Sequence, residues 1–215
     1  MTRALVLAAA LGALAARAAG AQQLTIGPQV VMADYKEVDA GLRYSGWGYG
    51  GTATAQWRKF SAEVAVIRLS LDPANGSSAP AGVKATQLDA WIGYAVSPYA
   101  SLEVGLARRS PSDDFEAQSL GAIRVGARSA YEIGPGAVVS LRVNYLAAAK
   151  FSGGGNAPFA LDLGLGLDLR LASRVHVLAH YQFQRVDRKT NPGGTGEISA
   201  PLQLSVARAG LAVAL

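Results

Sequence analysis

The chain has 215 residues, a formal net charge of +5, 25 glycines and no cysteine. Hydrophobic residues make up 50% of it and charged residues only 16%, whereas soluble globular proteins contain about 25% charged residues. This composition excludes disulfides and thiolate metal sites, and it leaves too few charged side chains to cover an ordinary water-exposed surface.

The first 21 residues are typical of a cleavable signal peptide. Arg3 precedes an apolar stretch from Ala4 to Ala16, and Ala19-Gly20-Ala21 supplies the small residues of a signal-peptidase site. The alternative is an N-terminal membrane anchor, which would need about 20 apolar residues. We therefore predict cleavage after Ala21, with residues 1–21 as the signal peptide and residues 22–215 as the mature domain.

The rest of the chain alternates apolar and polar residues with a period of two, which is the pattern of β-strands. The clearest example is Phe159–Leu171, where every second residue is leucine or phenylalanine and the residues between them are small or charged. A strand of this length would extend for roughly 43 Å, well beyond an ordinary strand of five or six residues. The same alternation recurs at 24–32, 86–96, 100–109, 123–128, 139–145 and 175–184.

Short turns and longer loops alternate between these segments. The short turns include Trp57–Lys59 and Ser97-Pro98, and the longer loops, such as Asp72–Val83 and Asp187–Ala200, are rich in turn-forming residues. Counting them predicts ten strands, with the short turns on the periplasmic side of a membrane barrel. The segment Gly41–Gln56 is rich in glycine and shows little apolar alternation, so an eight-stranded barrel is the alternative.

In two segments, Phe60–Leu71 and Leu202–Leu215, the apolar residues change from one phase of the alternation to the other. We attribute both changes to β-bulges, each of which inserts one extra residue into a strand. The bulges would turn Arg68 and Arg208 to the polar face and leave Leu215 on the apolar face.

The polar face of the strands indicates which side of the sheet lines the lumen. It carries arginines and carboxylates among glycine and alanine, with almost no lysine. This composition is typical of a confined interior in which charges pair, and not of a surface exposed to water. We therefore predict that the leucine and valine rows contact lipid and that a charged network lines the lumen. The predicted lumen residues are Glu63, Arg68, Asp89, Glu103, Arg124, Arg128, Arg142, Asp162, Asp168, Arg170, His176, His180 and Arg208.

Aromatic residues support a membrane barrel because they cluster near the predicted strand ends, as interfacial girdles do. Chance placement is the alternative, since strands favour aromatic residues in any protein. The predicted interfacial aromatics are Trp57, Phe60, Tyr94, Tyr99 and Tyr131 beside the short turns, and Tyr145, Phe151, Phe159, Tyr181 and Phe183 near the longer loops.

With this signal peptide, these strands and the final run Ala209–Leu215, the chain resembles the small bacterial outer-membrane β-barrel proteins, which include OmpX-like and OmpA-transmembrane-like barrels. The resemblance implies an all-β, closed, antiparallel up-and-down barrel in the bacterial outer membrane, inserted by the barrel-assembly machinery. Members commonly end in an aromatic residue, whereas this chain ends in Leu215. The implied partners are outer-membrane lipid and lipopolysaccharide, not nucleic acid, and a monomer is expected rather than an oligomer.

The two histidines, His176 and His180, are the first candidates for chemistry inside the barrel. On one strand they lie about 13 Å apart, too far to share a metal ion. Lipid A deacylases of this superfamily have a serine two residues after the histidine, whereas Leu178 and Gln182 follow the histidines here. We therefore expect no catalytic residue, metal or cofactor.

Three hypotheses for function follow from the sequence. The first is a non-enzymatic outer-membrane barrel with a structural, surface-binding or narrow-pore role. The second is an outer-membrane enzyme acting on lipid A or surface peptides. The third is a soluble periplasmic barrel that binds an apolar ligand.

Overall fold

Ten antiparallel strands form one closed barrel in the computed structural model, which describes residues 23–79, 81–190 and 198–215. The predicted signal peptide lies outside these ranges. Each strand pairs with its neighbours in sequence, and the first pairs with the last. The strands are β1 Gln23–Glu37, β2 Leu42–Trp57, β3 Phe60–Pro73, β4 Val83–Ala95, β5 Ala100–Pro111, β6 Leu120–Gly134, β7 Ala137–Phe151, β8 Asn156–Arg170, β9 Val175–Thr190 and β10 Ile198–Ala214.

The predicted ten-stranded up-and-down barrel is confirmed. Within the described ranges, no helix is long and apolar enough to cross a membrane. Both ends of the described chain lie at the end of the barrel that carries the short turns, here called the turn end; the opposite end, with the longer loops, is the loop end.

The glycine-rich segment forms a regular strand, β2, so the eight-stranded alternative was wrong. Its glycines at 46, 48 and 50 alternate with Trp47 and Tyr49, whose side chains project outward and are each 63% exposed. Glycine therefore alternates with aromatic residues in this part of β2, and the contrast between apolar and polar residues does not reveal the strand.

Strand β2 approaches β3 so closely that only glycine fits at position 48. A Cβ atom there would lie 2.2 Å from the carbonyl oxygen of Arg68. We expect Gly48→Ala to lower the free energy of unfolding by about 1–3 kcal/mol, because the added methyl group must push the two strands apart. Urea unfolding in detergent micelles, followed by tryptophan fluorescence, measures the change. Gly121→Ala is the control, because no atom lies within 4 Å of its Cβ position; equal losses in both variants would contradict the prediction.

Strands β3 and β10 keep one phase along their whole length, and their pairing shows no register shift. The two predicted bulges were therefore wrong. The pattern changes because the lumen lining is mostly apolar at the loop end and mostly polar at the turn end. Ile67 and Leu69 point inward and are buried, whereas Arg68 points outward and is exposed. The prediction that Arg68 lines the lumen was wrong for this reason; Arg208 does lie inward.

A bulge does occur in β7. Ala148 has a φ of 51°, and the pairing of β6 with β7 shifts between Gly121 and Ile123. The extra residue turns Phe151 into the lumen, where its side chain is 6% exposed. Alanine favours neither a bulge nor a positive φ, so the sequence gives no signal of this change.

The outer surface of the barrel is apolar over most of the strand length. Exposed leucine, valine and isoleucine side chains include Val30, Ile92, Leu106, Leu141, Leu165 and Leu211. They form a continuous belt, whereas a soluble monomer rarely exposes an apolar patch of more than a few hundred Å². The apolar rows therefore face outward, as the sequence pattern predicts.

An apolar plug fills the loop-end half of the lumen. Phe115, in a short 3-10 helix at Asp113–Gln118, partly covers it, with its ring 6.0 Å from that of Tyr44. The lumen is therefore closed at this end. The plug consists of Val31, Ala33, Tyr35, Tyr44, Ile67, Leu69, Leu71, Val83, Ala85, Ala107, Leu120, Ala122, Leu146, Ala149, Phe151, Ala160, Val186, Leu202, Leu204 and Val206.

Candidate functional site in the lumen

Arg124 binds two carboxylates at the centre of the lumen. Its Nη1 lies 2.7 Å from Oδ1 of Asp89 and its Nη2 lies 2.7 Å from Oδ2 of Asp162, with all three side chains at most 1% exposed. Gln87 and Gln182 donate hydrogen bonds of 2.8 Å to the same two carboxylates. Since β4, β6 and β8 are not neighbours in the sheet, this bridge joins three walls of the barrel.

Arg142 forms a second bridge nearer the turn end. Its guanidinium donates to Glu103 at 2.6 Å and to Glu63 at 2.9 Å. The ring of Trp91 contacts both arginines, with its centre 4.6 Å from the guanidinium carbon of Arg124 and 4.3 Å from that of Arg142. Cation–π contacts of this kind hold the two guanidinium groups in place. The two bridges and the indole form the core of a charged layer beneath the apolar plug.

Charged side chains near the turn-end mouth of the lumen are more accessible. Nδ1 of His176 lies 2.7 Å from Oδ1 of Asp168, whose side chain is 44% exposed. The side chain of Arg128 is 28% exposed and approaches Glu63 to 4.0 Å. Arg170, on the inward phase of β8, is exposed at the mouth. Water therefore reaches the charged layer from this end.

A small cavity of about 20 Å³ lies in the charged layer, with Arg128 and Arg208 among its lining residues. Ser140 and His180 meet above Gly166, because these three residues are direct neighbours in the register of β7, β8 and β9. A Cβ atom on Gly166 would lie 2.5 Å from Oγ of Ser140 and 3.1 Å from Nδ1 of His180. Serine beside histidine is part of a hydrolase site, but a cavity of this volume holds about one water molecule. A lipid or peptide substrate would not fit.

Apart from Arg68, the predicted lumen residues lie on the inward phase of their strands. The structure brings Arg124 and Arg142 together with their carboxylates, but it gives His180 and Arg208 no ion-pair partner among the described residues. In the same ranges, no three acidic or histidine side chains are arranged to hold a metal ion. The inward residues are Glu63, Asp89, Glu103, Arg124, Arg128, Arg142, Asp162, Asp168, Arg170, His176, His180 and Arg208.

Sequence reasoning missed several lumen side chains, of which Trp91 is the most informative. It stands on the polar phase of β4, two residues after Asp89, and a large ring in that place is a signal of stacking on arginine. Arg109 was also missed. It donates a hydrogen bond of 3.4 Å to Gln184 and lies over the ring of Tyr35 at 5.3 Å, two contacts across the barrel that no sequence spacing reveals.

The aromatic residues predicted beside the short turns form two clusters on the outside of the barrel. Trp57 stacks on Phe60 at 5.8 Å, with Tyr94 next to them, and Tyr99 stacks on Tyr131 at 5.6 Å. The prediction for Phe151 was wrong, because the bulge in β7 turns its side chain into the lumen. The rest of the second ring also faces outward but is less regular. Within it, Phe159 lies near the loop end of its strand, while the other three lie near the middle of theirs: Tyr145, Tyr181 and Phe183.

Comparison with known proteins gives similar structures but no relative by sequence. No protein-family profile matches the chain, and no curated protein matches it. Neisserial surface protein A is 11% identical, with a TM-score of 0.43 over 88% of this chain and 96% of that one. The outer membrane protease OmpT from Escherichia coli is 9% identical, with a TM-score of 0.47 over 90% and 97%.

OprG, an outer membrane protein from Pseudomonas aeruginosa, is 14% identical, with a TM-score of 0.44 over 91% of this chain and 97% of that one. The chain therefore resembles outer-membrane β-barrels in architecture.

Proposed function

We propose that this chain is an integral protein of the bacterial outer membrane, with a closed lumen, that acts through its loops and outer surface. The observation that carries the proposal is the filled interior. Apolar side chains close the loop-end half, and Arg124 with Asp89 and Asp162 spans the lumen beneath them.

The direction of the side chains supports insertion into a membrane. The apolar belt covers the outside, while the buried charges are paired within, as a bilayer requires of a spanning barrel. A soluble barrel that binds an apolar ligand would have the opposite arrangement, with its apolar rows around an internal cavity. In the bacterial outer membrane the longer loops would face outward and the short turns would face the periplasm.

The same interior supports a role without catalysis and without transport. The cavity beside Ser140 and His180 has a volume of about 20 Å³, which leaves no space for a lipid or peptide substrate. A ten-stranded barrel is also narrower than the 16–18 strands of open porins. Binding by the loops, or by the surface that contacts lipid, is the function that this arrangement favours.

Single-channel recording tests the closed lumen. We expect the refolded protein to give no conductance steps in a planar bilayer, provided that its heat-modifiable migration on a gel shows that it is folded. The triple variant Glu63→Ala, Glu103→Ala and Arg142→Ala should also remain silent, because the apolar plug stays intact. It removes Arg142 together with both of its carboxylates, and the partly exposed Arg128 loses only its 4.0 Å contact with Glu63. Steps of porin size from the folded wild-type protein would contradict the proposal.

A further inference from the structure

A groove of about 520 Å³ lies on the outside of the barrel, across the loop-end halves of β2 to β5. Trp47 and Tyr49 form one wall of the groove. Arg68 and Lys84 project into it from β3 and β4. Its remaining outward side chains are small hydroxyl residues, namely Ser70, Thr86, Ser110 and Ser112.

The two cations of the groove lie close together. In the sheet, Arg68 is opposite Thr86 and Ser70 is opposite Lys84, so the charged side chains occupy adjacent rows of neighbouring strands. Both are exposed, and neither forms an ion pair among the described residues. The next outward residue of β3 beyond Ser70 is Asp72, which does not line the groove.

The groove begins where the apolar belt ends. Val66 and Leu88, which face each other one row nearer the turn end, are the last apolar residues of the belt on β3 and β4. Side chains just beyond the hydrocarbon of a membrane lie at the depth of the lipid headgroups, where exposed tryptophan and tyrosine are also favoured. The cations and hydroxyl groups would therefore meet headgroups in the leaflet that faces the loops.

We infer that this groove binds the phosphorylated sugar headgroup of a glycolipid in the outer leaflet. This inference rests on the proposed membrane location. Arg68 can donate two parallel hydrogen bonds to a phosphate, and Lys84 adds a second positive charge. The hydroxyl side chains match a sugar's hydroxyl groups, and the volume lies in the range of roughly 300–1,000 Å³ that small-molecule sites occupy. The two cations form no ion pair within the described ranges, which favours an anionic headgroup over a neutral one.

Native mass spectrometry of the mature barrel in non-ionic detergent tests the inference. The probes are bisphosphorylated lipid A, the same lipid without its phosphates, phosphatidylglycerol and inorganic phosphate. We expect one strongly bound lipid A per barrel, and about tenfold weaker binding in the double variant Arg68→Ala, Lys84→Ala. Arg185→Ala is the matched control. Arg185 is an outward arginine of β9 that is already paired with Asp187, on a distant part of the wall, so its loss should leave binding unchanged.

Three results would overturn the inference. They are unchanged lipid A binding in the double variant, equal binding of phosphatidylglycerol with equal loss on substitution, and binding of inorganic phosphate without lipid. If the double variant does not fold, Arg68→Gln and Lys84→Gln apply the same test one residue at a time. Failure here would leave the closed lumen standing, whereas conductance by the folded barrel would contradict the closed lumen and leave the groove untouched.

Discussion

Replacing Arg124 with methionine should lower the free energy of unfolding by about 3–5 kcal/mol, the range for breaking a buried ion pair from one side. Asp89 and Asp162 would lose their shared cation, and each side chain is at most 1% exposed, so water cannot solvate the carboxylates instead. Urea unfolding in detergent micelles measures the loss. The fluorescence of Trp91, whose ring contacts the Arg124 guanidinium, reports on the same region.

Removing the whole bridge distinguishes the cost of leaving a buried charge unpaired from the cost of losing the ion-pair contact. Combining Arg124→Met with Asp89→Asn and Asp162→Asn leaves no buried charge at this level, so most of the lost stability should return. Arg185→Ala, which breaks a surface pair with Asp187, is the second control and should cost about 0–1 kcal/mol. A triple variant that is no more stable than Arg124→Met would show that the bridge itself, and not the unpaired carboxylates, sets the stability.

Placing an arginine in the middle of the apolar belt should also have a large effect. Leu165 lies at the centre of the row Phe159–Leu171 and its side chain is 48% exposed. If lipid covers this position, Leu165→Arg should lower the free energy of unfolding in phospholipid vesicles by about 2–4 kcal/mol, because the guanidinium would enter hydrocarbon. If water covers it, the substitution should have almost no effect.

The matched control for Leu165→Arg lies on the same face of the sheet, at the edge of the belt. Gln203 points outward near the loop end of β10, so Gln203→Arg should cost about 0–1 kcal/mol. Equal stabilities for the two variants would contradict the membrane assignment. A selective loss at Leu165 would support it independently of any resemblance to known barrels.

The alternation of outward apolar residues, combined with the alternation of short turns and longer loops, predicted the closed ten-stranded barrel. The turns and loops were needed because β2 shows little apolar alternation. The apolar alternation was also not sufficient where the lumen is itself apolar. Ile67 and Leu69 point inward beside an outward Arg68, so the pattern on β3 resembles a phase change although the backbone is regular. Sequence alone shows which residues share a face, but not what that face contacts.

For the site, the sequence predicted which charged residues point into the lumen, but not which of them contact each other. The alternation placed Arg124, Asp89 and Asp162 on the polar face of their strands, yet their bridge depends on shear and diameter, which decide which side chains meet across a lumen. Trp91 shows the same limit. The alternation along β4 places its side chain on the inward face, but its contact with two arginines follows only from the closed three-dimensional structure.

Because the apolar plug occupies only the loop end, the described part of the barrel leaves the lumen accessible from its turn end and closed at the other. Most of any voltage across a membrane would fall over the closed half. Ions could reach Arg128 and Asp168 from the turn end alone. These two side chains would therefore sense the salt and the solutes of the turn-end compartment, and changes at the loop end would not reach them.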